Sequence, residues 1–257
     1  SEARYAEIGR VMVATGRWLT PQLEPGQVFW GKPPLHFWAT ALSLQAFGAS
    51  AWAARLPSLL GALAVLLVTQ RAARRLYGAR VASLACLVLA SSALFYTLAA
   101  QVQIDLTLAA CTSAALGAFL LAHLEPDARA ARRRYALACL AIGAGLLAKG
   151  PVVIALFAGT LALACAATRD LRWFRGVPWL LGSALTAAVG VPWYLAAEHS
   201  TPGFLDYFLV GEHWKRFVES GWKGDLYGTA HARAYGVIWL FWIAAALPWS
   251  VGALSWL

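Results

Sequence analysis

Residues 28–40 read VFWGKPPLHFWAT and place Lys32 in a loop bounded by glycine and proline, directly before an aromatic segment. Proline is tolerated in the first turn of a helix, so the two prolines after Lys32 predict a short helix over residues 35–47. Two other stretches also set ionisable residues beside apolar runs: QVQIDLTLAA at residues 101–110, and GEHWKRF at residues 211–217. The number of times the apolar segments cross a membrane decides whether the three stretches lie on the same side of it.

The composition indicates a membrane protein. The chain has 257 residues, of which 60% are hydrophobic and 13% are charged, whereas soluble domains average about 45–50% apolar and about 25% charged residues. The net charge is +9, but the arginines cluster between apolar segments, which favours membrane topology and anionic lipid over nucleic acid as the explanation. The four cysteines lie inside apolar segments without metal-ligand spacing, so we interpret them as core residues.

The apolar segments predict an all-α, polytopic bundle of about seven transmembrane helices within residues 51–257. We expect spans at residues 51–70, 80–99, 103–123, 134–148, 151–167, 177–196 and 235–257. The break at Lys149 and Pro151 is compatible with either a tight turn or a kink in one helix. Only a turn puts the three arginine-rich loops on one side, as the positive-inside rule requires of cytoplasmic loops.

The same topology places four parts of the chain together on the outer side of the membrane. These parts are residues 1–50, the turn that ends at Asp105, Lys149, and the loop 197–234. Residues 2–15 form an amphipathic helix at the interface, being too short and too charged to span. The chain begins with Ser1 and ends within an apolar run, so we expect a fragment of a longer protein.

Four residues are candidates for chemistry at the outer face. Asp105 lies at the mouth of a span, where a carboxylate is either functional or stabilised by a helix N-terminus. Lys32 can present its ammonium to a phosphate oxygen or extend to lipid head groups. Lys149 fits a second phosphate-facing cation or a topological anchor, and His213 fits a metal ligand or a solvated histidine. The other histidines, at 36, 123, 199 and 231, are interpreted as structural.

Other enzyme classes and transporters are disfavoured. The sequence has no nucleophile elbow and no dinucleotide fingerprint, which removes the basis for a hydrolase or an oxidoreductase. It also has no paired charges inside the spans, which a proton or ion path requires.

Several ordered motifs carry a family resemblance: EARYAEIGRVMVATGRWLTP, KPPLHFW, QIDLTL, LLAKGP, PWYL and PGFLDYFLVGEHWKRF. The chain resembles the N-terminal two-thirds of the membrane domain of bacterial 4-amino-4-deoxy-L-arabinose transferases, and more broadly the protein-mannosyltransferase-like glycosyltransferases of GT-C fold. The resemblance implies a multi-pass protein of the bacterial inner membrane. It also implies transfer of a sugar from a polyprenyl phosphate donor to a lipid A-like or other acceptor at the periplasmic face.

The resemblance also implies roles for individual residues. Asp105 matches a catalytic carboxylate, and His213 matches a position implicated in binding a divalent metal. The donor phosphate and its surroundings are assigned to five residues, with Arg216 added from the outer loop: Arg4, Tyr5, Lys32, Lys149 and Arg216.

Two positions depart from the family pattern. Ser1 stands where the family usually has the aspartate that activates the acceptor, and Gly31 stands where it has a glutamate of the metal site. A serine hydroxyl cannot replace a carboxylate base, so either Glu2 substitutes or activity is weakened or lost. We therefore expect weak or no metal binding. The alternative to an enzyme is a catalytically silent member that serves as a structural subunit of a membrane protein complex.

Overall fold

The computed structural model of the chain describes residues 2–219, 222–227, 234 and 236–254, apart from the side chains of Arg172 and Phe217. Ser1 and His231 lie outside these residues, so the prediction about the base at position 1 has no structural counterpart.

The described part of the chain is almost entirely helical. The helices in chain order are α1 Glu2–Thr15, α2 Leu35–Phe47, α3 Ala51–Tyr77, α4 Ala79–Ala90, α5 Ala93–Ala99, α6 Ile104–His123, α7 Ala128–Lys149, α8 Val152–Thr168, α9 Trp179–Ser200, α10 Arg216–Val218, α11 Val237–Ala245 and α12 Trp249–Leu254. Three shorter elements complete the description: an antiparallel hairpin of β1 Gln22–Glu24 and β2 Gln27–Val28, a 3₁₀ turn Leu171–Phe174, and a π-helix Asp206–Lys215.

Among the described residues, three helices are long and apolar enough to cross a membrane: α3, α6 and α9. The pair α4 and α5 passes the same criterion together but is bent by 70°. The sequence predicts one continuous span here, and the structure differs because Ser91 and Ser92 bond back to the carbonyls of Leu87 and Val88, at 2.5 and 2.7 Å. The predicted span over residues 235–257 is also interrupted, since α11 ends before Pro248. The count of seven spans remains a prediction.

The bundle core lies between α6, α7 and α8, where Phe119 packs edge to face on Tyr135 and on Phe157, both with ring centroids 5.3 Å away. Helix α7 ends at Lys149 and α8 begins at Val152, at the break where the arginine-rich loops favour a tight turn over a kink. A side chain added at Gly145 of α7 would meet Val153 of α8 at 2.6 Å. Further along α8, Phe157 packs on Phe119 in the core of the bundle, so α8 runs back along α7.

Small residues let the long helices approach closely. A Cβ atom at Gly117 of α6 would lie 2.3 Å from Val68 of α3, and one at Gly182 of α9 would lie 2.6 Å from Cys139 of α7. Because α6 and α7 are antiparallel neighbours, the first turn of α6 and the last turn of α7 lie at the same end of the bundle.

Two aromatic clusters cover that end. The first joins α1 and α2 to the start of α6 through Ile8, Met12, Phe29, Phe37, Ala41 and Ile104. The second joins the ends of α7 and α9 to the π-helix through Leu147, Trp193, Tyr194, Ala197, Phe204 and Phe208. The loop that contains Lys32 runs between the two clusters, because Phe29 belongs to the first and Trp30 packs on the second.

Candidate functional site

Asp105 and Lys149 form an ion pair where α6 begins and α7 ends. The Lys149 Nζ donates a hydrogen bond to Asp105 Oδ1. Both side chains are partly exposed, Asp105 to 48% and Lys149 to 31%. Asp105 also lies in the first turn of α6, where the helix dipole favours a negative charge. The pair is therefore both a helix-terminal contact and a charged group open to a ligand.

Lys32 faces a buried carboxylate, Glu212 of the π-helix. Its Nζ donates to the carbonyl of Gly31 at 2.6 Å and lies 3.5 Å from Glu212 Oε2. The Glu212 side chain is only 5% exposed, and it also accepts a hydrogen bond from Arg216 at 2.8 Å. Burial lowers the pKa of Lys32, and the charge of Glu212 opposes that effect. Two cations thus share one buried carboxylate, which offsets the cost of its desolvation.

Asp225 and Tyr227 of the segment 222–227 complete the site, although no sequence motif points to them. The Asp225 carboxylate lies 3.4 Å from Arg216. The Tyr227 hydroxyl accepts a hydrogen bond from the Trp30 backbone at 3.0 Å and donates one to the Val28 carbonyl at 3.2 Å. This segment therefore fastens the Lys32 loop to the charged cluster.

Arg4 and Tyr5 of α1 border the same cluster. The Arg4 guanidinium donates to the carbonyl of Tyr227 at 3.1 Å. Tyr5 packs against Phe37, with ring centroids 5.8 Å apart. Burial raises the pKa of Tyr5, and the negative charge of Asp105 adds to that effect. The structure thus gathers the predicted donor-phosphate residues and Asp105 at one end of the bundle.

Glu2 has a different set of contacts. Its Oε1 accepts hydrogen bonds from Arg55 at 2.8 Å and from the backbone of Val102 at 3.2 Å. The hydrogen bond from Arg55 is the main cause of a lowered pKa for this carboxyl. In the described residues, Glu2 joins the start of α1 to α3 and to the turn before α6. Its use as a substitute base stays a prediction.

The His213 ring lies between two backbone carbonyls. Its Nδ1 lies 2.7 Å from the carbonyl of Phe208, and its Nε2 lies 3.3 Å from the carbonyl of Lys149. No group of three or more His, Cys, Asp or Glu side chains that could hold an ion occurs within the described ranges. His213 instead links the π-helix to the end of α7.

Gly31 is packed closely against two aromatic rings, so a larger residue here would require them to shift. A Cβ atom at this position would lie 2.7 Å from a ring carbon of Phe29 and 3.1 Å from a ring carbon of Tyr227. These two rings pack on each other with centroids 4.5 Å apart. The space beside Gly31 is therefore occupied by the rings of Phe29 and Tyr227.

His36 is a buried histidine beside the site. Its Nδ1 hydrogen-bonds to the Thr107 hydroxyl at 2.8 Å, and its Nε2 has no partner among the described residues. Burial lowers its pKa to about 4, and the Asp105 charge opposes this. The ring is therefore neutral at physiological pH and connects α2 to the first turns of α6.

The comparisons with known proteins agree on one family. The family model for dolichyl-phosphate-mannose-protein mannosyltransferase matches residues 31–195. The undecaprenyl phosphate-alpha-4-amino-4-deoxy-L-arabinose arabinosyl transferase of Edwardsiella ictaluri is 33% identical, over 85% of this chain and 39% of that protein. The enzyme of the same name from Aeromonas salmonicida is 32% identical, over 84% of this chain and 40% of that protein. The chain thus spans about two fifths of the length of these relatives.

A solved structure has the same fold. The crystal structure of ArnT from Cupriavidus metallidurans bound to undecaprenyl phosphate superimposes with a TM-score of 0.85 at 32% identity, covering 97% of this chain and 44% of that chain. The all-α membrane fold of GT-C type predicted from the sequence is confirmed, and the relatives support a multi-pass bacterial membrane protein. With residues 31–195 matching the family model and the fold shared along nearly its whole length, the chain belongs to the dolichyl-phosphate-mannose-protein mannosyltransferase family.

Proposed function

We propose that the protein transfers a sugar from a polyprenyl phosphate donor to a lipid A-like or other acceptor. The observation that carries the proposal is the convergence of Lys32, Lys149, Arg216 and the half-exposed Asp105 at one end of the bundle. The relatives named above act with undecaprenyl phosphate sugars, and one solved relative carries undecaprenyl phosphate.

The cations are suited to a phosphate group. Lys32 and Arg216 are held by Glu212, and Lys149 is held by Asp105, so all three positive groups are in position before a ligand arrives. Charge-assisted hydrogen bonds to phosphate oxygens are roughly twice as strong as neutral ones. We assign Lys32, Lys149 and Arg216 to the donor phosphate, with Arg4 and Tyr5 at its border.

Asp105 is the carboxylate we assign to the transfer step. An acceptor oxygen forms a bond to the anomeric carbon of the sugar while the bond from that carbon to the donor phosphate breaks. The electron pair of the broken bond leaves with the polyprenyl phosphate, where Lys149 and Lys32 offset its charge. When the acceptor is a hydroxyl, Asp105 takes its proton, since an ionised carboxylate in contact with solvent can act as a general base. No step is assigned to a metal.

The membrane sidedness is part of the proposal. The arginines of three loops favour the cytoplasm at the end opposite Asp105, which puts the charged cluster at the periplasmic face of the inner membrane.

The second candidate is a catalytically silent structural subunit of a membrane complex. The observation that favours it is Gly31 itself, which provides no carboxylate and is packed closely by Phe29 and Tyr227. Incubation of the full-length protein with radiolabelled polyprenyl phosphate sugars and lipid A tests both. A labelled glycolipid supports the enzyme, whereas stable copurification with another membrane protein and no transfer across a broad donor panel supports the silent subunit.

A further inference from the structure

The end of the bundle opposite the charged cluster contains two adjoining concave spaces. The larger, about 630 Å³, lies between the loop after α6, the start of α7 and the segment before α9. The smaller, about 520 Å³, lies between α7 and Leu181 of α9. Ala128 and Arg132 line both. Since α7 has 22 residues, this end is about 30 Å from Lys149.

Arginines dominate the walls of these spaces. Arg129, Arg132 and Arg133 line the smaller space, and their spacing of three and four residues puts them on one face of α7. Arg175 joins Arg132 in the larger space. All four side chains are exposed and have no ion pair within the described part of the chain.

The nearby acidic residues are already engaged. Glu125 forms an ion pair with Arg134, which also donates to the carbonyl of Leu121 at 2.9 Å. Asp127 caps α7 by accepting a hydrogen bond from the backbone of Ala130 at 2.7 Å. Within the described residues, the four arginines that line the two spaces therefore have no carboxylate as an ion-pair partner.

The smaller space has an apolar floor toward the membrane. Ala136 and Leu181 continue the wall below the arginines. Leu180, beside Leu181 on α9, is 89% exposed and faces outward from the bundle. A phosphate group among the arginines would thus have its acyl chains beside apolar side chains.

We propose that these spaces bind the head group of an anionic phospholipid on the arginine-rich side of the membrane. Arg129, Arg132 and Arg133 neutralise the phosphate, and the acyl chains run over Ala136 and Leu181. Basic pockets between transmembrane helices on the cytoplasmic side recognise anionic head groups in this way. The site is separate from the donor site and does not depend on sugar transfer.

The test compares two triple variants of the full-length protein. Arg129→Gln/Arg132→Gln/Arg133→Gln removes the pocket arginines. Arg71→Gln/Arg74→Gln/Arg80→Gln removes the same charge from exposed arginines at the end of α3 and the start of α4, outside both spaces. Each protein is placed in nanodiscs of phosphatidylcholine with graded phosphatidylglycerol, and retained phosphatidylglycerol is counted by native mass spectrometry. We expect retention to fall roughly tenfold or more in the pocket variant and to stay near wild type in the control.

Three results would overturn the proposal. Equal losses in both variants would show that net charge alone retains the lipid, and unchanged retention in both would show that the pocket binds none. Displacement of phosphatidylglycerol by millimolar glycerol 1-phosphate would identify a site for soluble anions instead. Circular dichroism of each variant shows whether the fold is retained, and single Arg132→Gln and Arg74→Gln variants replace the triples if it is not.

Discussion

Replacement of Lys32 by alanine separates a donor-binding role from a structural one. The Lys32 ammonium lies 3.5 Å from the buried Glu212 carboxylate. Loss of one partner of a fully buried ion pair costs about 3–5 kcal/mol. Glu212 keeps the hydrogen bond from Arg216 at 2.8 Å, and the Lys32 side chain is 22% exposed. We therefore expect Lys32→Ala to lower the free energy of unfolding by only about 1–2 kcal/mol.

The effect on donor binding is expected to be larger. A charge-assisted hydrogen bond to phosphate contributes about 2 kcal/mol, which corresponds to an increase of about 30-fold in Kd. Binding of a polyprenyl phosphate to the full-length protein in nanodiscs measures this by isothermal titration, and thermal unfolding measures stability on the same samples. Lys223→Ala is the matched control, because Lys223 is an exposed lysine of the same outer segment.

The reasoning is refuted if Lys32→Ala binds the donor with unchanged affinity, or if Lys223→Ala weakens binding as much. A loss of donor binding that merely follows a large loss of stability would make Lys32 a structural residue.

Three further predictions concern Lys32, His36 and Gly31. Since burial lowers the pKa of Lys32, the lysine loses its positive charge at a lower pH than an ordinary lysine, and donor affinity falls with it. Lys32→Arg should remove this pH dependence. Identical pH profiles of the donor Kd in the wild type and in Lys32→Arg would contradict the prediction. The pKa of His36 falls from 6.5 in the unfolded chain to about 4 in the fold. Between these values the unfolded state binds more protons, so the free energy of unfolding decreases by about 3 kcal/mol as pH falls from 6.5 to 4. The thermal midpoint of His36→Gln should therefore drop less between pH 7 and pH 4.5 than that of the wild type, and an equal drop would refute the prediction. Gly31→Glu should lower the free energy of unfolding by about 1–3 kcal/mol without a gain of bound metal, because its Cβ would meet Phe29 at 2.7 Å. Chemical unfolding measures the stability, and elemental analysis measures the metal. Stoichiometric metal in the variant would contradict the prediction, because it would show that the two rings move aside.

The sequence was sufficient to place the main charged residues at one end of the bundle. The positive-inside rule needs only loop charges and span lengths, and it put Asp105, Lys149 and the Lys32 loop on a common side. The structure pairs Lys149 with Asp105 there. The spacing of Glu212 and Arg216, four residues apart, also carried a local signal for their ion pair.

Other features depend on tertiary contacts that a local pattern does not carry. Asp225 follows no helical period, and it reaches Arg216 in a segment that Tyr227 fastens to the Lys32 loop. Gly31 differs from the family pattern in sequence alone, whereas its environment includes the Tyr227 ring from a distant part of the chain as well as the nearby Phe29. The 70° bend between α4 and α5 is likewise hidden in an apolar stretch whose hydropathy is that of a continuous span.

The most direct test of the proposed site is the rate of sugar transfer by Asp105→Asn. The substitution keeps the shape of the side chain but removes the charge that pairs with Lys149. Asp206→Asn is the control, because Asp206 is an exposed carboxylate in the first turn of the π-helix at the same end of the molecule. With labelled polyprenyl phosphate sugar and lipid acceptor, we predict transfer by the wild type and by Asp206→Asn, and a loss of about 100-fold or more in Asp105→Asn. Full activity in Asp105→Asn would contradict the assignment of the site.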